Sequence, residues 1–262
     1  MSFELNFNNL FFKILRQITF YLLLVALWQF LFSLKLWPSH QFPSPAQVIE
    51  TLYEGFSNKT FSTAIAVSLQ RLFVGYGISV FLGVALGLVI GKIKILDETI
   101  GGFFFGLQTL PSICWLPLAI LWFGKNEWAI LFVVVIGSLL SITIATDNGI
   151  KHIETIYLQA GRNMGATGSK MFLHVVLPGA FPSILMGLKQ GWLFAWRSLM
   201  AAEIISAALG LGRLLSIGRE LNDMSQVIAL MILITVIGML VNNVVFGIIE
   251  EKVRQVWGLE SK

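Results

Sequence analysis

Three charged side chains, Lys189, Arg197 and Glu203, stand inside a stretch from Pro182 to Ala208 that is otherwise, apart from Gln190, apolar or small. A charge at membrane depth is costly and is by default a functional candidate. Counted as a helix from Pro182, Lys189 lies roughly 10 Å in and Arg197 roughly 22 Å in, past the midplane. Lys189, Trp192, Trp196, Met200 and Glu203 share one helical stripe, with Arg197 about 80° round from Lys189. Two cations beside an aqueous path suit an anion, and the rings of Trp192 and Trp196 suit its apolar tail. A second interpretation stays open, in which Lys189 snorkels to the cytosol and Arg197 pairs with Glu203 or with carbonyls. A second interruption lies in LPSICWLPLAILWFG, where Pro111 and Pro117 remove backbone donors and predict a kinked or unwound helix. Carbonyls freed at membrane depth must be satisfied by protein or face water. Pro111 and Ser112 are therefore candidates to line a pathway, with a kink that only shapes packing as the alternative.

Enzyme chemistry finds little support. His40, His152 and His174 show no metal-binding spacing, and no Ser/His/Asp grouping stands out. The segment GATGSK resembles a phosphate cradle only briefly. A P-loop needs GK[ST] after four spacers, whereas here Ser169 precedes Lys170. The chain is expected to carry no cofactor of its own.

The elements that position these residues are membrane spans. Of 262 residues, 56% are hydrophobic and 12% charged, and the mean hydropathy is +0.80; soluble domains are about 25% charged. Six apolar runs are long enough to cross a bilayer: Ile14–Leu34, Ala64–Ile90, Ile100–Phe123, Trp128–Ala145, Pro182–Ala208 and Val227–Ile249. The fold class is therefore an all-α integral membrane protein, one transmembrane domain over residues 1–262 with its core at about 63–250. The net charge of +4 is spread through loops, which reflects topology and not nucleic-acid binding. With the N-terminus inside, Lys13, Arg16, Lys92, Lys94, Lys151, Arg162, Lys170, Lys252, Arg254 and Lys262 face the cytosol. Lys35, Lys59, Lys125, Arg213 and Arg219 then face outward. Ten against five favours both termini inside and puts the loop at 147–180 in the cytosol.

The first run is too long for a cleaved signal and lacks a small-x-small site before Trp37-Pro38. It is separated from the rest by an outer segment, Lys35 to Ser62, extended at Phe42-Pro-Ser-Pro and helical over Ala46–Phe56, so a peripheral helix is expected. Cys114, the single cysteine, is expected to be a buried filler. Gln70 and Arg71, near the outer end of the second span, are expected to anchor it at the interface. Gly75, Gly83, Gly87 and Gly91 on the second span, and Gly187, Gly191, Ala195, Ser198 and Ala202 on the fifth, make two small-residue stripes. Such stripes imply a tightly packed bundle or a dimer face.

The cytosolic loop carries the strongest signal. Thr155 to Met164 predicts a short helix with Ile156, Ala160 and Met164 along one face. Gly165 ends or bends it, and Ser169 to Val176 resumes a helical pattern up to Pro178. A glycine bend lets two short helices fold against each other and expose a tip, as a membrane subunit needs in order to grip a soluble motor. A surface-lying amphipathic helix is the alternative, though it would carry more Lys and Arg.

This loop resembles the cytoplasmic "EAA" loop of ABC importer permeases. Gln159, Ala160 and Gly161 stand where Glu-Ala-Ala would, Gly165 is the motif glycine, and Leu177-Pro178 closes the motif thirteen residues on. The glutamine and Gly161 depart from that pattern. The stretches LPSICWLPLAILWFG, VVLPGAFPSILMGLKQGWLFAWRSLMAAEII and the GLG at Gly210–Gly212 are similar to permeases for sulfonates, taurine and nitrate or bicarbonate, over about Ser68 to Trp257. The resemblance implies a type I importer fold with one peripheral helix and a five-helix core, in the inner membrane of a prokaryote. It implies a second permease copy, two ATP-binding subunits that hold ATP and Mg2+, and an extracytoplasmic solute-binding protein. Gln159, Ala160, Gly161, Gly165, Ala166, Leu177 and Pro178 would couple to the ATPase, and aliphatic sulfonates are the leading substrate class. A secondary carrier is less favoured, since no inverted repeat is visible and Glu203 is the one acidic residue placed within a span. A passive channel would leave the elaborate loop without a purpose.

Overall fold

The computed structural model describes residues 2–256, without the side chains of residues 2–11, 13, 14, 254 and 256. Trp257, Lys262 and the side chains of Lys13 and Arg254 lie outside the described residues. The described chain is all helical, with no strand. In order, its helices are α1 (Ser2–Ser33), α2 (Pro45–Ser57), α3 (Thr60–Lys92), α4 (Lys94–Gln108), α5 (Ser112–Phe123), α6 (Glu127–Lys151), α7 (Thr155–Asn163), α8 (Gly168–Ile205), α9 (Leu211–Glu220) and α10 (Met224–Val253). α1 (from Leu15), α3, α6, α8 and α10 are each long and apolar enough to span a membrane. α4 and α5 are long and apolar enough only when taken together, as a pair broken by a sharp bend.

The chain forms two compact units. One comprises residues up to Ser62 with Leu215–Ile232, and the other comprises Thr63–Leu214 with the residues from Leu233 onward. In the first unit no residue of the apolar window of α1 is buried. Its Trp28 Nε1 donates to the carbonyl of Pro43 at 3.0 Å. α2 starts at a capping box: the Ser44 hydroxyl accepts from the Gln47 amide, and the Gln47 side chain accepts from the Ser44 amide.

In the second unit α6 is the central helix. Asn126 caps it by accepting from the amides of Trp128 and Ala129, and 61% of its apolar window is buried. Both small-residue stripes pack on it. A Cβ on Gly87 would sit 2.5 Å from Thr146 Cβ and 2.6 Å from the Thr143 carbonyl, and one on Gly83 3.0 Å from Ile142. From the other side, Gly191 approaches Ile142, Gly187 approaches Ala145, and Ser198 approaches Gly137. The stripes are therefore the seams of a bundle within one chain, and close backbone approach is what the small residues supply.

α4 and α5 meet at an angle of 100°. Pro111 (ψ 135°) causes the break, whereas Pro117 lies in the first turn of the regular helix Leu116–Phe123, where a missing amide costs nothing. The expectation of a kinked helix thus becomes a broken one, at a single proline. α8 is longer than the run from Pro182: it begins at Gly168 and passes through Pro178 and Pro182. A wider π-type turn at Phe172–Val176 precedes both prolines, an ordinary place for such a bulge.

Candidate functional site

The loop after α6 forms an elbow. Three hydrogen bonds close α7: Met164 N–H to Ala160 O (3.0 Å), Gly165 N–H to Arg162 O (2.9 Å) and Ala166 N–H to Gly161 O (2.9 Å). The last two make a Schellman cap, which requires Gly165 to be left-handed; its φ is +81°. The second arm then doubles back, and a Cβ on Gly161 would meet Val175 and Met171 at 2.9 and 3.1 Å. Gly161 is thus buried in the crease of the elbow. Gln159, Ala160 and Gly165 are exposed and Ala166 is half-buried. Ile156 (62%), Tyr157 and Met164 (87%) present an exposed apolar surface up to the tip. Leu177 is half-buried and Pro178 exposed at the root of the second arm. At that root a Cβ on Gly179 would meet Ile153 at 3.6 Å, and Lys92 stands over the ring of Phe172 at 5.5 Å.

The broken helix opens a cavity of about 270 Å³. Gln108, Thr109, Leu110, Pro111, Ser112 and Trp115 form one wall, Ile136, Gly137 and Leu140 of α6 a second, and Phe194 and Arg197 of α8 a third. Arg197 is exposed to this space, and no ion pair or hydrogen bond engages it among the described residues. The expectation that Arg197 pairs with Glu203 is not met. A second groove of about 340 Å³ shares Phe194 and Arg197 and continues along Leu193, Gln190, Lys189 and Met186. Lys189 Nζ lies 2.8 Å from Glu250 Oε2 of α10, so Lys189 is paired within the bundle.

Trp192, Trp196 and Glu203 are placed away from these cavities. Trp192 is buried among Phe73, Tyr76 and Phe246 with ring centroids 5.7, 5.3 and 6.3 Å away, and Trp196 is buried against Gly238. Glu203 is fully buried. Its carboxylate accepts from the Ser68 hydroxyl (2.8 and 2.9 Å), from Arg71 (2.8 Å) and from the Gly212 amide (3.0 Å). Arg71 also donates to both Glu127 oxygens at 2.6 Å and to the Leu209 carbonyl at 2.6 Å. Arg71 is therefore no interface anchor but the hub that ties α3 to α6, to α8 and to the turn into α9. The GLG segment is explained by the same contact, since a Cβ on Gly210 or Gly212 would strike Glu203. Sequence reasoning had the signal: a carboxylate at depth demands a cation, and Arg71 and Glu203 lie at the same end of their spans. At the other end Lys151 bridges Asp147 (2.6 Å) and Asp97. Cys114, expected to be buried, is exposed on the turn that starts α5.

The molecule thus combines apolar helices of membrane-spanning length, a two-armed elbow and a cavity at a broken helix. Residues 79–255 match the family of binding-protein-dependent transport system inner membrane components. The chain belongs to this family. The permease is 33% identical over 221 residues to a protein named as an aliphatic sulfonates transport permease, SsuC, of Escherichia coli strain K12, covering 83% of this chain and 82% of that one. It is 28% identical over 240 residues to the nitrate import permease NrtB of Synechocystis sp., covering 88% and 86%. It is also 28% identical over 226 residues to the taurine transport system permease TauC of E. coli, covering 83% and 81%. Among solved structures its fold is similar to that of the inward-facing MetNI methionine ABC transporter (TM-score 0.62, 19% identity, 71% of this chain and 92% of that one). An amino acid ABC transporter crystallised with histidines gives a TM-score of 0.61 at 20% identity, covering 77% and 97%. The permease is thus a multi-pass inner-membrane subunit of an ABC importer with the type I fold; it is a transport subunit and not an enzyme.

Proposed function

We propose that the permease carries a small anion into the cytoplasm, with aliphatic sulfonates or taurine as the leading substrate class. The single observation that carries this is Arg197, an unpaired guanidinium beside the cavity at the Pro111 break. A guanidinium suits an oxyanion because its planar fork donates two parallel hydrogen bonds. Phe194, Leu110 and Ile136 offer an apolar wall to a short carbon chain. The similarity to SsuC and TauC supports this choice. Nitrate or bicarbonate is the second reading, favoured by the similarity to NrtB.

Two ATP-binding subunits would hold ATP and Mg2+ and seat the elbow tip, with Ile156, Ala160 and Met164 supplying the apolar contact. A second copy of the permease would complete the path, and an extracytoplasmic binding protein would deliver the solute. Both termini would face the cytosol. Force from ATP-driven closure of the partners would enter at Met164 to Thr167 and pass along the second arm into α8, which is continuous with it from Gly168 and carries Arg197. Proteoliposomes holding permease, ATPase and binding protein test this. Isethionate accumulation that requires ATP inside supports the reading; accumulation driven by a proton or sodium gradient makes the chain a secondary carrier instead.

A further inference from the structure

We infer that the cavity at Arg197 selects anions that carry no ammonium group, so that a plain or hydroxylated alkanesulfonate enters and the zwitterion taurine is disfavoured. The inference depends on the proposed anion site at Arg197 and narrows its substrate class.

It follows from the charge inventory of the second unit. Arg197 is the charged residue of the cavity lining; the other polar groups there, Gln108, Thr109, Ser112 and Trp115, are neutral. Five carboxylates of this unit face cations, and none of them lines the cavity at Arg197. Glu203 and Glu127 are held by Arg71, Asp97 and Asp147 by Lys151, and Glu250 by Lys189. The cavity that contains Asp97 and Asp147 shares no lining residue with the one at Arg197. The groove that continues from Arg197 towards Lys189 also has no carboxylate in its lining.

An oxyanion in this cavity meets an uncompensated positive charge. An ammonium two carbons away meets repulsion from that charge and no acid to receive it, so its lost hydration goes unreplaced. A hydroxyl at the same position is satisfied by Gln108, Thr109 or Ser112, which donate and accept. A second copy facing this surface across a twofold axis brings the same lining, hence a second guanidinium and no acid.

Isethionate and taurine differ only in hydroxyl against ammonium and so make the test pair. Their binding to the purified permease in nanodiscs is read by saturation-transfer NMR, which leaves the selectivity of any binding protein out. Isethionate is expected to bind roughly tenfold more tightly than taurine, the size of a charged group left without a partner. Arg197→Ala should abolish isethionate binding. Gln108→Glu, which adds a carboxylate at nearly constant shape, should strengthen taurine, weaken isethionate and narrow or invert the ratio. Equal binding of both compounds, lost together in Arg197→Ala, overturns the selectivity but keeps the anion site. Isethionate binding that survives Arg197→Ala, or no binding of either compound to the parent, overturns the site itself. Taurine preference in the parent, with rings such as Trp115 and Phe194 receiving the ammonium, also sinks the inference.

Discussion

Arg71→Met removes the hub of the buried charge network while keeping an unbranched side chain of similar length. Its side chain is 6% exposed and that of Glu203 is 0% exposed, whereas Glu127 is 56% exposed. The two arms of the network should therefore differ in weight. Loss of the Glu127 arm costs at most about 1 kcal/mol, as exposed pairs do. Loss of the Glu203 arm leaves a buried carboxylate with Ser68 and the Gly212 amide as its remaining donors, and breaking such a pair costs about 3–5 kcal/mol. The Leu209 carbonyl loses its donor as well, worth about 1 kcal/mol. The assay is thermal unfolding of the purified permease in nanodiscs, followed by tryptophan fluorescence, since Trp192 and Trp196 are both buried. Arg71→Met should lower the midpoint by roughly 10–25 °C, and Glu127→Gln by no more than roughly 4 °C. Glu203→Gln added to Arg71→Met should return about 1–3 kcal/mol, because the orphaned charge disappears. An Arg71→Met protein that melts with the parent, or no lower than Glu127→Gln, would refute the assignment of Arg71 as a structural hub.

Other substitutions probe the seams and the elbow. Gly87→Ala should cost about 1–3 kcal/mol and lower the unfolding midpoint, because its Cβ meets Thr146 and the Thr143 carbonyl, while Gly77→Ala, which faces open space, should leave the midpoint unchanged. Gly165→Asp should leave the protein in the membrane but abolish ATP-coupled uptake in vesicles, since it adds strain and charge at the left-handed turn below the tip; normal uptake would count against the docking role. Arg197→Ala should lower anion uptake while the ATPase still co-purifies, and unchanged uptake kinetics would remove Arg197 from the pathway.

The spans, the elbow and the broken helix were legible in the sequence because each is a local signal: apolar length, a glycine at a helix end, a proline in an apolar run. The seams were half legible. Gly83, Gly87 and Gly191 announce close approach, but only three-dimensional packing shows that both stripes meet α6 and not another copy. The charge pairs were not legible in detail. The alternative reading paired Glu203 with Arg197, six residues away on its own helix, whereas its partner Arg71 is 132 positions distant on α3. The stripe that joined Lys189, Trp192, Trp196 and Glu203 is real helical geometry, yet it faces aromatic neighbours and the Arg71 hub over most of its length. Periodicity states which residues share a face; it does not state what that face meets.

The elbow is the point where force from a partner would enter, and a cross-link there is the sharpest measurement. In a Cys114→Ser background, Met164→Cys places one thiol at an exposed point of the tip. In inside-out vesicles containing the assembled transporter, a short maleimide–succinimidyl ester should join this thiol to a lysine of the ATP-binding subunit, and ATP should change the yield. Labelling of the same thiol by an impermeant maleimide added outside intact cells, with no cross-link to the ATPase from the cytosolic side, would contradict the account.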